Sequence, residues 1–206
     1  LEFRRVLFRS GNARVMKTCD PRFEPLLSRF DVREFESAES AVYGMWPDFT
    51  LAYLNPAWFR FAADNGGEPM ISRDWGLGAN ALQAIHEPLR SYFATAFQGV
   101  PLDGKPWGHA YECSSARRFR RFHMRVYPLH VDRGYLVVHS LVDERAHDPA
   151  ERLPSSAVEE LYTNEVGIIL QCIHCRRVRR TDLSSRWDWV PAWVERPPDN
   201  TSGGLC

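Results

Sequence analysis

The feature that most constrains the fold is a long alternating segment in the second half of the chain. Residues 118–131 read RFRRFHMRVYPLHV, in which Phe122, Met124 and Val126 alternate with basic residues. A side-chain period of two is typical of a strand with one buried face. The segment GYLVVHSLVDE follows after a short turn and is more uniformly apolar, which favours a central strand. With GHAYECSS before them, these segments predict a three-stranded antiparallel meander.

The first half of the chain predicts two more strands and then helices. The segments AVYGMWP and FTLAYLNP, separated by the turn signal Pro47-Asp48, predict a β-hairpin. The segment AWFRFAADNGG then predicts a helix that a glycine pair ends, and AIHEPLRSYFATAFQGV predicts a longer helix ending at Gly99. The order β-β-α-α-β-β-β gives an α+β fold class, a five-stranded antiparallel sheet with helices on one face.

The chain divides into segments of different character. Residues 1–15 have neither a helical nor a strand period and look like the translation of a sequencing-adapter remnant. We therefore treat them as a non-native leader and expect the native sequence to start near Met16. The remaining segments are an N-terminal helix over 16–34, the main domain over 35–148, a linker helix over 149–166 with a capping-box spacing at Ser156 and Glu159, and a short cysteine-containing appendage over 167–206.

Two cysteines near the C-terminus have the spacing of half a metal site. Zn²⁺ takes four deprotonated ligands in a tetrahedron, and a two-residue gap lets one turn supply both Cys172 and Cys175. Cys206 is the third candidate ligand, whereas His174 lies between the pair, where its side chain is expected to point away. A thioredoxin-type redox pair is an alternative, although no βαβ pattern surrounds it, and coincidence of composition is another.

Charge and hydropathy argue against two classes of partner. The chain has 26 basic and 26 acidic residues, so bulk electrostatics gives no case for nucleic acid. The longest apolar runs, such as YLVV and GIIL, are far shorter than the roughly 20 residues of a membrane helix. No apolar core of a signal peptide follows the N-terminal arginines. We expect a cytoplasmic protein with no membrane partner.

Several segments resemble bacterial PAS sensor domains. YLNPAWFRFA lies at the end of the second strand, and the last three strands match the family pattern at Cys113-Ser114, Phe122, His139 and Asp143-Glu144-Arg145. The usual Ile-Thr is absent, because Glu144 directly follows Asp143. The resemblance covers roughly residues 35–146. It implies a sensory module of bacterial signal transduction, as in two-component systems, which binds a small ligand or a partner. It also implies relay to a signalling partner or output domain, and a capacity to form homodimers.

The resemblance directs attention to a ligand pocket. The candidate lining residues are the aromatics Trp58, Phe59, Phe93 and Phe97 and the histidines His123 and His139. Such aromatics are more often part of a core, and a lone histidine is more often a satisfied polar residue. Flavin is not expected, because ANALQ has Ala81 where light-oxygen-voltage domains carry a cysteine. Haem is not expected either. His86, His123 and His139 are available as axial ligands, but a histidine of this kind is more often a satisfied polar residue.

The C-terminal segment resembles a cysteine module that follows sensor domains in bacterial signalling proteins. Its pattern is C-x-x-C-[KR]-x-[IV]-R, a tryptophan segment and HGxCPxC, and the matching residues are Cys172, Cys175, Arg176, Val178, Arg179, Trp187 and Cys206. Gly203 replaces the usual histidine, and Cys206 alone represents the last pair. The resemblance implies zinc in the full-length parent. The alternative function is therefore an adaptor that docks a partner protein through a zinc-stabilised C-terminal module.

No catalytic pattern stands out. The sequence has no recognisable Ser-His-Asp arrangement, phosphate-cradling glycine loop or usefully spaced pair of carboxylates. We therefore predict that the chain is not an enzyme.

Overall fold

The computed structural model describes residues 18–85, 87, 89–130, 133–183 and 186–206, with the backbone alone for 101–103. The predicted leader over 1–15 and His86 lie outside the described residues.

A five-stranded antiparallel sheet forms the centre of the main domain. Its strands are β1 (Val42–Met45), β2 (Leu51–Leu54), β3 (Trp107–Glu112), β4 (Arg118–Leu129) and β5 (Gly134–Ala146). Their order in the sheet is β2-β1-β5-β4-β3, and every neighbouring pair is antiparallel. The apolar strand β5 is central, as predicted. The predicted α+β class, built on a five-stranded antiparallel sheet, is confirmed.

Helices follow the hairpin and pack on one face of this sheet. The two predicted helices are α2 (Pro56–Asp64) and α4 (Leu89–Asp103), and between them lie α3 (Met70–Asp74) and a 3₁₀ helix (Ala81–Ala84), which the sequence did not predict. Helix α4 continues beyond Gly99, where the sequence predicted its end. A glycine costs only about 1 kcal/mol relative to alanine inside a helix, and burial of the next residue, Val100, holds the helix on the core.

The core under these helices is rich in aromatic side chains. Phe93 and Phe97 of α4 pack on Phe49, Trp107 and Tyr135. The ring centroids of Phe97 and Trp107 are 5.8 Å apart. This packing fills the space between α4 and the sheet, so the open space of the domain lies elsewhere, under α2.

The N-terminal segment covers the opposite face of the sheet. In place of one helix over 16–34, a 3₁₀ helix (Glu24–Leu27) and helix α1 (Val32–Ser37) form two separate turns. The first piece ends at Leu27, and Asp31, whose backbone is extended, caps the second, because its carboxylate accepts a hydrogen bond from the Arg33 N–H. Phe23, Leu26 and Leu27 are buried here against the sheet, so this face too is closed.

The predicted linker helix over 149–166 is largely absent. Only the 3₁₀ helix Glu159–Leu161 forms, and its N-cap is Val158 rather than Ser156, without a side-chain cap. The backbone of this segment is instead held by strand-like contacts, such as the Ser155 N–H donating to the Trp189 carbonyl at 2.7 Å. Contacts with distant residues therefore replace local helix hydrogen bonds.

The C-terminal segment forms a second, small sheet. Its elements are β6 (Ile169–Cys172), β7 (Val178–Arg179), β8 (Trp187–Asp188), helix α5 (Pro191–Glu195) and β9 (Thr201–Gly204). The order is β8-β7-β6-β9, with β9 parallel to β6. Tyr162, Ile169 and Trp193 are buried in its core. Among the residues that the structure describes, no helix is long and apolar enough to cross a bilayer.

Candidate functional site

A cavity of about 660 Å³ opens between helices α2 and α3 and strands β3, β4 and β5. This volume lies within the range of small-molecule sites. Its walls are mainly aromatic and apolar, and they include Trp58, Phe61, Tyr111, Phe122, His139 and Leu141. The cavity therefore has the composition of a site for a small, partly apolar molecule.

A histidine and a tyrosine form the polar element of its inner wall. The Tyr111 hydroxyl and His139 Nδ1 share a 2.6 Å hydrogen bond, whose direction follows the histidine tautomer. Tyr43 stacks on the other side of His139, with ring centroids 5.5 Å apart. Burial lowers the pKa of His139 to about 4 and raises the pKa of Tyr111. Both groups are therefore neutral at neutral pH, and the wall offers a ligand hydrogen bonds rather than charge.

The burial of His139 predicts a pH dependence of stability. The folded-state pKa of about 4 lies below the unfolded value of about 6.5, so unfolded chains bind the proton first as the pH falls. The contribution of His139 is complete above pH 6.5 and is lost between about pH 6.5 and 4, by up to about 3 kcal/mol. Denaturant unfolding of wild type and His139→Asn from pH 8 to 4 measures it. The difference between their stabilities should shrink as the pH falls. A difference that stays constant over this window would show that His139 is not buried as a neutral ring.

Charged groups at the cavity rim connect a helix to the sheet. Arg120 of β4 donates to Glu144 of β5 at 2.8 Å and to the Oδ1 atom of Asn65, just after α2, at 2.6 Å. Hydrogen bonds from Arg120 and Arg118 lower the pKa of Glu144, so this carboxylate stays ionised. The position of the end of α2 is thus tied to two strands of the sheet.

The structure divides the predicted pocket residues into two groups. Trp58 and His139 line the cavity, and the Trp58 Nε1 atom is buried without a hydrogen-bond partner among the described residues. Phe59, Phe93 and Phe97 do not line it, because they pack into the core beneath the helices. His123 does not line it either, since it lies between Phe122 and Met124 on β4 and its side chain points to the other face of the sheet.

The sequence prediction missed Phe61, Tyr111, Phe122 and Arg120. The strand register places Tyr111 opposite Phe122, and Phe122 opposite Leu141, in one row across three strands. The alternation along residues 118–131 already placed Phe122 on the inner face. That alternation was the signal available in the sequence, and it also argues against His123.

The three predicted metal ligands come together at the end of the second sheet. The Sγ atoms of Cys172 and Cys175 each lie 3.6 Å from the Cys206 Sγ atom, and all three lie within 4.8 Å of one another. Sulfurs bound tetrahedrally to zinc at 2.3 Å are about 3.8 Å apart. The residues present therefore fit three of the positions of a zinc–thiolate site.

Backbone geometry produces this cluster. Cys172 ends β6, and the Arg176 N–H donates back to its carbonyl at 2.8 Å, with Arg176 at a φ of 64°. The parallel pairing of Cys172 with Gly204 then places Cys206 beside the turn. A hydrogen bond from the Cys175 thiol lowers the pKa of the Cys172 thiol. His174 is exposed and does not belong to the cluster, as predicted from its position between the cysteines.

Comparisons with known proteins gave matches among solved structures alone. No protein-family model matches this chain, and a search of curated proteins gave no significant match. The phage VqmA–DPO complex is 12% identical, covers 58% of this chain and 55% of its own, and has a TM-score of 0.42. The PAS domain of BvgS from Bordetella pertussis is 12% identical, covers 64% and 91%, and has a TM-score of 0.40.

A third structure is the photoactive yellow protein domain of the sensor histidine kinase Ppr from Rhodospirillum centenum. It is 13% identical, covers 55% of this chain and 95% of its own, and has a TM-score of 0.36.

Proposed function

We propose that this chain is a sensory, signal-transducing module without catalytic activity of its own, which binds a small molecule in the cavity between α2 and the sheet. The observation that carries the proposal is the 660 Å³ cavity, whose aromatic walls surround the neutral Tyr111–His139 pair. An apolar pocket with a few convergent polar groups is the usual form of a small-molecule site. The free cysteines suit a reducing compartment such as the cytoplasm.

The position of the cavity indicates how ligand binding would be transmitted to the rest of the chain. Its rim joins the end of α2 to β4 and β5 through Arg120, so a ligand that enters between them acts on this connection. Strand β5 ends at Ala146, and the linker over 149–166 follows after two residues. A change in the packing of helix and sheet therefore reaches the linker and a partner beyond it, whether an output domain or a second copy of the chain.

Filling the cavity tests this proposal. Leu141 lines the cavity, whereas Ser140, its exposed neighbour in β5, does not. Leu141→Trp should remove a co-purifying small molecule detected by native mass spectrometry, or weaken its binding at least tenfold, because the larger side chain occupies the site. Ser140→Trp is the matched control and should bind as wild type does. Wild-type protein without a bound or screenable small molecule, or unaltered binding by Leu141→Trp, would refute the sensor proposal.

The cysteine cluster favours a second candidate, an adaptor that docks a partner through a metal-stabilised C-terminal sheet. When bound, zinc would serve as a structural cross-link, held by the thiolates of Cys172, Cys175 and Cys206. Metal analysis after equilibration with zinc distinguishes the candidates. The adaptor requires stoichiometric zinc and loss of partner binding in Cys172→Ser, whereas the sensor requires loss of ligand binding in Leu141→Trp.

A further inference from the structure

A buried ion pair joins the linker to the main sheet. The side chains of Arg152 and Glu112 are 7% and 10% exposed, and their charged groups are 2.5 Å apart. Glu112 is the last residue of β3, and Arg152 lies 40 residues further along the chain. Charged side chains are almost never fully buried unless they are paired. This contact therefore fixes where the linker sits on the end of the sheet.

The same arginine contacts the cysteine cluster. Its second guanidinium nitrogen donates to the carbonyl oxygen of Cys175 at 3.5 Å. Its guanidinium also lies over the rings of Phe119 and Trp189, 5.3 Å and 4.7 Å from their centroids. Trp189 belongs to the C-terminal segment and Phe119 to β4, so Arg152 lies between the two parts and contacts the backbone of Cys175, a candidate metal ligand.

Glu112 continues the connection toward the cavity. Its other carboxylate oxygen accepts a hydrogen bond from the Ser114 hydroxyl at 2.5 Å, and the Ser114 oxygen accepts one from the Arg120 N–H at 3.2 Å. Arg120 forms the cavity rim, and Cys113, between Glu112 and Ser114, also lines the cavity. Four consecutive polar contacts thus run from the Cys175 carbonyl to the cavity rim.

We infer that the Arg152–Glu112 pair couples metal binding by the cysteine cluster to the order of the strand ends that form the ligand cavity. Arg152 is then a positioning residue for the cysteine cluster. Metal occupancy regulates the cavity of the proposed sensor, and this inference rests on the proposed binding of a ligand in that cavity. A bound metal would hold Cys175 and its carbonyl in place. That carbonyl helps to hold Arg152, and Arg152 holds Glu112 at the end of β3. By linkage, the coupling is reciprocal.

Zinc alone, added to the full chain, tests the coupling without any cavity ligand. The variant is Glu112→Gln/Arg152→Met, which removes both buried charges together and so avoids leaving one unpaired. Arg145→Gln is the matched control. Arg145 also lies over Phe119, at 4.6 Å, and pairs with a carboxylate, but no contact joins it to Cys175. Zinc affinity is measured by competition with a chromophoric chelator, and hydrogen exchange is followed with and without zinc.

In wild type, zinc should slow amide exchange in residues 107–122 as well as in 167–206. In the double variant, zinc should bind about tenfold more weakly, as expected on loss of a contact around a metal ligand, and should protect 167–206 alone. Arg145→Gln should behave as wild type does. Several results would overturn the inference: no zinc binding by wild type, protection confined to 167–206 in wild type, or wild-type affinity and protection in the double variant. None of them bears on the cavity ligand, which Leu141→Trp tests separately.

Discussion

Asn55→Ala is expected to lower the free energy of unfolding by about 4 kcal/mol, because one fully buried amide makes four hydrogen bonds. Its Oδ1 atom accepts from the N–H groups of Val42 and Trp58 at 2.9 and 3.2 Å. Its Nδ2 atom donates to the carbonyls of Phe35 and Ser40, both at 2.9 Å. Loss of the helix cap costs about 1 kcal/mol, and the buried backbone groups left unpaired account for the rest.

Asn80→Ala provides the matched control. Asn80 caps the 3₁₀ helix Ala81–Ala84 through one 3.0 Å bond to the Leu82 N–H and donates one bond to the Asp48 carbonyl, but it is partly exposed. Water can replace its partners, so its loss should cost about 1 kcal/mol. Urea unfolding of both variants gives the comparison. Equal costs would mean that Asn55 is only a helix cap and does not join α1, β1 and α2.

The segment around Asn55 shows which features of the fold could be predicted from the sequence. The pair Asn55-Pro56 marked the end of a strand and the start of a helix from local chemistry alone, and both lie where predicted. The hydrogen bonds of Asn55 to Phe35 and Ser40 join it to residues 20 and 15 positions away, respectively. Such contacts exist only after the chain has folded, so no local pattern indicates them.

The same limit explains the partial success at the site. Cys172, Cys175 and Cys206 were identifiable because metal ligands carry a spacing rule, although the parallel pairing of β6 and β9 that unites them has no local signal. Trp58 and His139 were named only as an aromatic and a histidine, a criterion that Phe59 and His123, which do not line the cavity, met equally. Cavity walls, however, depend on strand register.

The N-terminal segment shows a different kind of error. Its apolar spacing correctly indicated a buried face, but the residues that break the helix, such as Asp31, were given too little weight. The segment was also placed outside the main domain, whereas its buried side chains complete the second face of the sheet. A short apolar segment covers the face of the sheet on which space is open. The sequence of the segment does not encode where that space is.

On the face that the N-terminal segment covers, Gly44 leaves this space because it has no side chain, and replacing it should have a large effect on stability. A Cβ atom on Gly44 of β1 would lie 2.3 Å from the Cε1 atom of Phe23. Phe23 is fully buried, and its ring meets Trp46 edge-on, with centroids 4.9 Å apart, so it has little room to move. We expect Gly44→Ala to cost about 2 kcal/mol through overpacking and Phe23→Ala to cost about 4 kcal/mol through the lost ring.

A double-mutant cycle isolates this contact. In Phe23→Ala/Gly44→Ala the new methyl group enters the space that the ring has left, so the total cost should be at least about 1 kcal/mol below the sum of the single costs. Gly99→Ala is the control, because its added Cβ meets nothing within 4 Å in helix α4 and should stabilise the chain by up to about 1 kcal/mol. Urea unfolding of the four proteins and the control provides the measurement. Strict additivity would mean that Phe23 does not pack on Gly44, and that the N-terminal segment is not part of the sheet's second core.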